Sequence, residues 1–180
     1  MKSSLFWKLL TSSIIPIICV IVLYQHFSTD QLSKDVPIKS KASGNDLETL
    51  STAAEKCNLD TVKSLIKNVV DINATHHFGA TSLHYATSGD CLEVVKFLIE
   101  EGIDVNTTDA FSWTALHYAA QEGRLEIVKF LLKNGANPLA KNKDKKTPLD
   151  LAIKELSNNK EKRDIYEEII NLLSKYQLFP

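Results

Sequence analysis

Residues 113–135 read Trp113-Thr-Ala-Leu-His-Tyr-Ala-Ala-Gln-Glu-Gly-Arg-Leu-Glu-Ile-Val-Lys-Phe-Leu-Leu-Lys-Asn-Gly135. Much of this pattern recurs with a fixed step of 33 residues. The step links two sets of apolar residues along the chain: Leu50, Leu83, Leu116 and Leu149, and Ala53, Ala86, Ala119 and Ala152. A fixed period of this length indicates stacked supersecondary units. The chain is therefore predicted to be a scaffold that presents a surface.

Each internal unit carries the signals of two short helices. Three threonines at the 33-residue step fit as N-caps of the first helices: Thr81, Thr114 and Thr147. The second helix of the third unit has an apolar stripe formed by Leu125, Val128 and Leu131. Gly102 and Gly135 follow the second helices and fit a left-handed helix stop.

These residues resemble the ankyrin repeat, whose pattern runs Gly-x-Thr-Pro-Leu-His-x-Ala-Ala, then Gly-x-x-Glu-Val-Val-Lys-x-Leu-Leu, then Gly-Ala-Asp-Val-Asn. The resemblance covers residues 46–176. It implies an all-α solenoid of helix–loop–helix units, with hairpin-like loops projecting sideways and first helices lining a concave face. It also implies that the array binds another protein, and that His84 and His117 are structural, bonding to local backbone and to the neighbouring threonine.

The repeat alignment predicts four units, at about 46–76, 77–109, 110–142 and 143–176. The middle two are internal, and the outer two are atypical, as capping units are expected to be. The first lacks the Thr-Pro-Leu-His start and has Val69 where other units have glycine. In the fourth, residues 168–175 align with 126–133 at a separation of 42, which is nine more than the period.

Charge is distributed unevenly along the chain. Residues 1–45 hold five lysines and two aspartates and carry +3, whereas the remainder carries −4. A nucleic-acid-binding domain usually has a basic face. The mildly acidic repeats therefore argue against a nucleic-acid partner.

The three cysteines are Cys19, Cys57 and Cys91, and the last two lie 34 residues apart. Stacked helices are about 10 Å apart, whereas a disulfide needs Cα atoms within about 7 Å. We therefore expect no disulfide between them. No cysteine spacing resembles a zinc site.

Residues 9–27 contain no charged side chain, and Lys2 and Lys8 precede them. A membrane-spanning helix needs about 20 apolar residues, with a lower limit near 17. We expect an N-terminal hydrophobic helix in residues 1–27 that acts as an uncleaved signal anchor. The alternative is a cleaved signal peptide, for which the small residues of a good cleavage site are missing after the run.

The positive residues before this run should stay in the cytoplasm, because positive charge sets the orientation of a membrane span. The protein is then single-pass, with its repeat domain on the non-cytoplasmic side; if the segment is cleaved, the protein is secreted. Residues 28–45 are polar and read as a flexible linker.

No catalytic set or phosphate-binding loop is present, so we expect no enzyme, cofactor, metal or small-molecule substrate. His76 and His77 could bind a metal weakly at a hairpin tip, but a solvated loop is the simpler interpretation.

The candidate protein-binding residues lie at hairpin tips and on the concave face. Aromatic residues at successive tips fit an interface hot spot, although they could instead pack between adjacent hairpins. Lysines at positions 141, 143, 145 and 146 form a basic tip that fits either an acidic partner or a solvated loop. The predicted binding residues are His77, Phe78, Ser88, Phe111, Trp113, Gln121, Glu122, Lys143 and Lys146.

Overall fold

The computed structural model describes residues 43–68 and 70–176. Within those ranges the chain forms eight α-helices and no strand: α1 Gly44–Glu55, α2 Leu59–Asn68, α3 Ser82–Ser88, α4 Leu92–Glu100, α5 Ala115–Glu122, α6 Leu125–Lys133, α7 Pro148–Asn158 and α8 Arg163–Ser174. A short 3-10 turn at His77–Gly79 and an isolated bridge between Thr75 and Thr81 shape the loop before α3.

The helices form four consecutive pairs that stack in chain order. The first helices α1, α3, α5 and α7 pack on one another in succession, and so do the second helices α2, α4, α6 and α8. The leucines and alanines of the 33-residue step all lie in the core. Because alanine is small, it lets neighbouring first helices approach closely, as at Ala86 and Ala119, which are both fully buried. The predicted all-helical stack is confirmed for this part of the chain.

The predicted helix ends are also confirmed. Thr81, Thr114 and Thr147 are the N-caps of α3, α5 and α7, and each takes part in a capping box. Gly102 and Gly135 follow α4 and α6 with φ of 89° and 86°. A side chain at this left-handed φ would be strained, so glycine is the residue that suits the helix stop.

Successive hairpin tips are tied together by backbone hydrogen bonds. The Ala110 amide donates to the Phe78 carbonyl at 2.6 Å, and the Lys143 amide donates to the Phe111 carbonyl at 3.0 Å. The tips therefore form a row with a repeating register, which sets the spacing of the side chains they carry.

The insertion in the fourth unit lengthens its helices. Helix α7 (Pro148–Asn158) is longer than α5, and helix α8 (Arg163–Ser174) is longer than α6. Ile169 and Leu173 are buried as their aligned counterparts Ile127 and Leu131 are. The added turn brings the Tyr166 hydroxyl within 2.8 Å of the Gln121 carbonyl, so it covers the turn between α5 and α6.

The expectation that Cys57 and Cys91 stay apart is wrong. They form a disulfide, with Cα atoms 5.0 Å apart. The spacing of helix axes does not apply to this pair, because both residues lie in or beside inter-helix turns, which approach more closely than helix axes do. Gly89 allows this approach, since a Cβ there would lie 2.0 Å from the Glu55 carbonyl oxygen.

The predicted anchor at 9–27 lies outside the described residues, as does linker segment 28–42. Helix α1 begins at Gly44, and Ser43, its N-cap, makes a capping box with Asp46. In the two described ranges, no helix is long and apolar enough to cross a membrane.

Candidate functional site

Three neighbouring clefts lie along the hairpin tips and the first helices. The central cleft, about 560 Å³, is lined by Phe111, Trp113, Tyr118, Gln121, Glu122, Lys143, Asp144 and Glu155. A second, of about 200 Å³, shares Phe111 and Tyr118 with it and adds residues that include Glu55, His77, Phe78, Tyr85 and Ser88. A third, of about 430 Å³, shares Trp113 and Gln121 and extends to Lys146 and Lys154. The nine predicted residues thus all line one connected surface.

Size alone does not single out this surface, because two other clefts are as large. One of about 550 Å³ lies beside the second helices and includes Phe97 and Lys63. Another of about 490 Å³ lies along α1, at the outer face of the first unit. Neither contains an aromatic residue that is mostly exposed, whereas the central and second clefts both contain Phe111, which is 51% exposed.

Phe78 and Phe111 form an exposed aromatic pair. Their side chains are 71% and 51% exposed, and their ring centroids are 5.9 Å apart. They contact each other across adjacent tips without being covered by the hairpins. This apolar pair lies outside the core and exposes apolar area that a partner could cover.

Trp113 is half-buried and forms the inner wall of the central cleft. Its ring lies 4.9 Å from Tyr118 and 5.9 Å from His117, measured between centroids. Its amide donates to Asp109 Oδ1 at 2.8 Å, and its carbonyl accepts from His84 Nε2 at 3.1 Å. The sequence left open whether Trp113 packs between hairpins or faces a partner. In the structure its ring does pack on the hairpin, and it also faces the cleft.

Asp109 organises this hairpin and was not among the predicted residues. It is buried, and Oδ1 accepts the amides of Phe111 and Trp113 at 2.8 Å each. Its Oδ2 accepts the Tyr118 hydroxyl at 2.7 Å. Burial, and then this bond to Asp109, raise the pKa of Tyr118. A sequence signal existed, because Asp109 and Asn142 occupy the same repeat position and both accept hairpin amides.

Polar side chains line the concave face beside the aromatic residues. Ser88 Oγ donates to Glu122 Oε1 at 2.8 Å, so the second and third units are joined there. Arg124 lies 3.4 Å from Glu122 Oε2 and compensates its charge. Gln121 contributes its backbone carbonyl to Tyr166.

The remaining predicted residues lie on the rim. His77 is exposed at the second cleft, with its ring 3.9 Å from His76. Lys143 and Lys146 are exposed beside the central and third clefts, respectively. Lysines 141, 143, 145 and 146 make no ion pair among the described residues, so their charges face solvent or a partner.

His84 and His117 have the structural role that the resemblance implied. Nδ1 of each accepts its threonine amide at 3.1 Å, and Nε2 donates to the next hairpin's carbonyl at 3.1 or 3.2 Å. Because a carbonyl only accepts, Nε2 carries the proton. Burial lowers the pKa of both imidazoles. Each histidine thus joins a helix cap to the following unit.

Among the residues that the structure describes, no group of three or more histidine, cysteine or acidic side chains could hold a metal ion. The buried histidines are committed to hairpin and cap contacts. The surface offers apolar area, carboxylates and lysines.

The family model described as ankyrin repeats (3 copies) matches residues 19–109, 50–142 and 107–177. No curated protein matches the chain. The matched ranges span most of the sequence and include the four stacked helix pairs. An ankyrin array is a non-catalytic protein–protein interaction fold, and this chain belongs to the ankyrin-repeat family.

Proposed function

We propose that the chain is a membrane-tethered scaffold that captures another protein through its hairpin tips and concave face. The observation that carries this proposal is the convergence of the nine predicted residues on one connected surface. An exposed aromatic pair beside a half-buried tryptophan is the composition found at interface hot spots. The lysine-rich tip lies at one end of the same surface.

The disulfide supports a non-cytoplasmic location for the repeats. Disulfides persist in oxidising compartments and are rare in the cytosol. The Cys57–Cys91 bond therefore agrees with the orientation inferred from Lys2 and Lys8 before the uncharged run. A secreted form released by cleavage would have the same bond, so the disulfide does not distinguish a membrane-tethered protein from a secreted one.

Site-specific photocrosslinking in the native host tests the binding surface. A photoreactive phenylalanine analogue at position 111 should trap one protein partner, since Phe111 is exposed within the surface. The matched control places the same analogue at position 126, where Glu126 is exposed on a second helix. Crosslinking at 126 but not at 111 would contradict the proposed surface.

Membrane fractionation tests the tether separately. The full-length chain should stay in the membrane pellet after an alkaline carbonate wash, and deletion of residues 1–27 should release it. A mature N-terminus near residue 28 would instead identify the secreted alternative.

A further inference from the structure

The central and second clefts form a continuous trough around Phe111 and Tyr118, which line both. We call this surface the aromatic trough. Its other aromatic residues are Phe78, Tyr85 and Trp113. Aromatic faces attract both apolar groups and cations, because the ring face carries partial negative charge.

Acidic side chains dominate the charges of the trough. Glu55 lines the second cleft, and Asp144 and Glu155 line the central one. None of these three carboxylates makes an ion pair within the described ranges. Two further carboxylates are already occupied, since Asp109 binds hairpin groups and Glu122 binds Arg124.

Only one lysine, Lys143, lines the trough. The third cleft shares Asp144 with the trough, and the charged residues that it adds are one carboxylate, Asp150, and two lysines, Lys146 and Lys154. Negative charge is thus concentrated where the aromatic residues are. The phenol of Tyr85 is affected by it, since burial and then the charge of Glu55 raise its pKa.

We propose that the aromatic trough binds a cationic segment of a partner protein, in which an arginine lies over Phe111 and Trp113 and its guanidinium faces Asp144 and Glu155. This inference rests on the proposed protein-binding function and names the chemistry of the partner. Arginine suits the site better than lysine, because its planar guanidinium stacks on aromatic rings and pairs with carboxylates. Lys143 opposes such a ligand and sets the end of the site.

Tryptophan fluorescence of the full-length chain provides the test. The chain has two tryptophans, so the Trp7→Phe variant leaves Trp113 as the only one. The probes are short synthetic peptides with one central residue between leucines: arginine, its uncharged isostere citrulline, or glutamate. We expect the arginine peptide to bind about tenfold more tightly than the citrulline peptide.

Charge variants locate the bound cation. Asp144→Asn and Glu155→Gln should each weaken arginine-peptide binding by about three- to tenfold and leave citrulline-peptide binding unchanged. Lys143→Ala should tighten arginine-peptide binding. The matched control is Glu100→Gln, which removes an exposed carboxylate from the second-helix side and should change nothing.

Equal affinity for the arginine and citrulline peptides overturns this inference, while crosslinking at position 111 still decides whether the surface binds protein. Tighter binding of the glutamate peptide, lost in Lys143→Ala, also overturns it and assigns the surface to an acidic partner. Absence of a fluorescence change with every peptide up to about 1 mM overturns it as well.

Discussion

Arg124 reaches back across one repeat interface to Asp90, at the repeat position that the Cys57–Cys91 bond occupies one interface earlier. Arg124 Nη1 lies 3.1 Å from Asp90 Oδ2, and the members of each pair are 34 residues apart. Cys57 and Asp90 share a left-handed backbone, with φ of 58° and 60°. Equivalent positions at successive repeat interfaces are therefore joined by a disulfide at the first interface and by a salt bridge at the second.

Reduction of the disulfide should destabilise the array. Closing a loop of 34 residues stabilises a fold by about 3–4 kcal/mol in the chain-entropy account. Cys57→Ser should lower the melting temperature to that of the reduced wild type, measured by circular dichroism. Reductant should then have no further effect on the variant, and Cys19→Ser should behave as wild type. Equal melting with and without reductant would show that the bond contributes nothing.

The equivalence of the two pairs predicts a transferable bond. In a chain whose three native cysteines are serine, Asp90→Cys combined with Arg124→Cys should form a disulfide on oxidation. Peptide mapping by mass spectrometry without reductant would detect it. Asp90→Cys combined with Lys129→Cys is the control and should leave both thiols open to alkylation. Free thiols in both variants would mean that the two interfaces differ in geometry.

Core substitutions should follow the repeat alignment. Leu116 and Ala119 are fully buried, so Leu116→Ala should cost about 2–5 kcal/mol, and Ala119→Leu about 1–3 kcal/mol through overpacking. Leu139→Ala, at a side chain that is 39% exposed, is the matched control. Denaturant unfolding measures all three. If the Leu116 and Ala119 variants unfold as the control does, the alignment is incorrect.

Stability should fall as the pH drops below about 6.5, the ordinary histidine value. Burial lowers the folded-state pKa of His84 and His117, so the unfolded chain binds more protons in this range. The stability that these two histidines contribute is complete above the ordinary histidine pKa, and it decreases as the pH falls toward their lowered folded-state pKa.

Replacing His84 and His117 with glutamine tests this dependence of stability on pH, because glutamine does not titrate. The double variant should be less stable at pH 7.5, yet its unfolding free energy should change less between about pH 7 and 5 than that of wild type. An unchanged slope would assign the pH dependence to other groups.

The 33-residue step was sufficient to predict the helix pairs, their caps and the core, because each of these depends on local pattern. Leu116 and Thr114 illustrate this, since one is fully buried and the other is an N-cap. The Cys57–Cys91 bond could not be predicted from helix spacing, because it depends on how closely two turns approach. The Asp109–Tyr118 bond depends in the same way on the path of a hairpin loop. The sequence therefore predicted a set of residues that line one connected surface, but not the contacts that hold them.

Trp113→Ala most directly tests whether the hairpin-tip surface is the binding site. Binding to the partner trapped at position 111 and thermal melting should be measured on the same samples. The matched control is Phe97→Ala, which removes a half-buried aromatic ring from a second helix. Loss of a buried interface tryptophan often costs 2 kcal/mol or more. Because both rings are half-buried, we expect both variants to lose some thermal stability, but only Trp113→Ala to weaken binding per folded molecule, by roughly thirtyfold or more. Retained binding per folded molecule in Trp113→Ala would contradict the account.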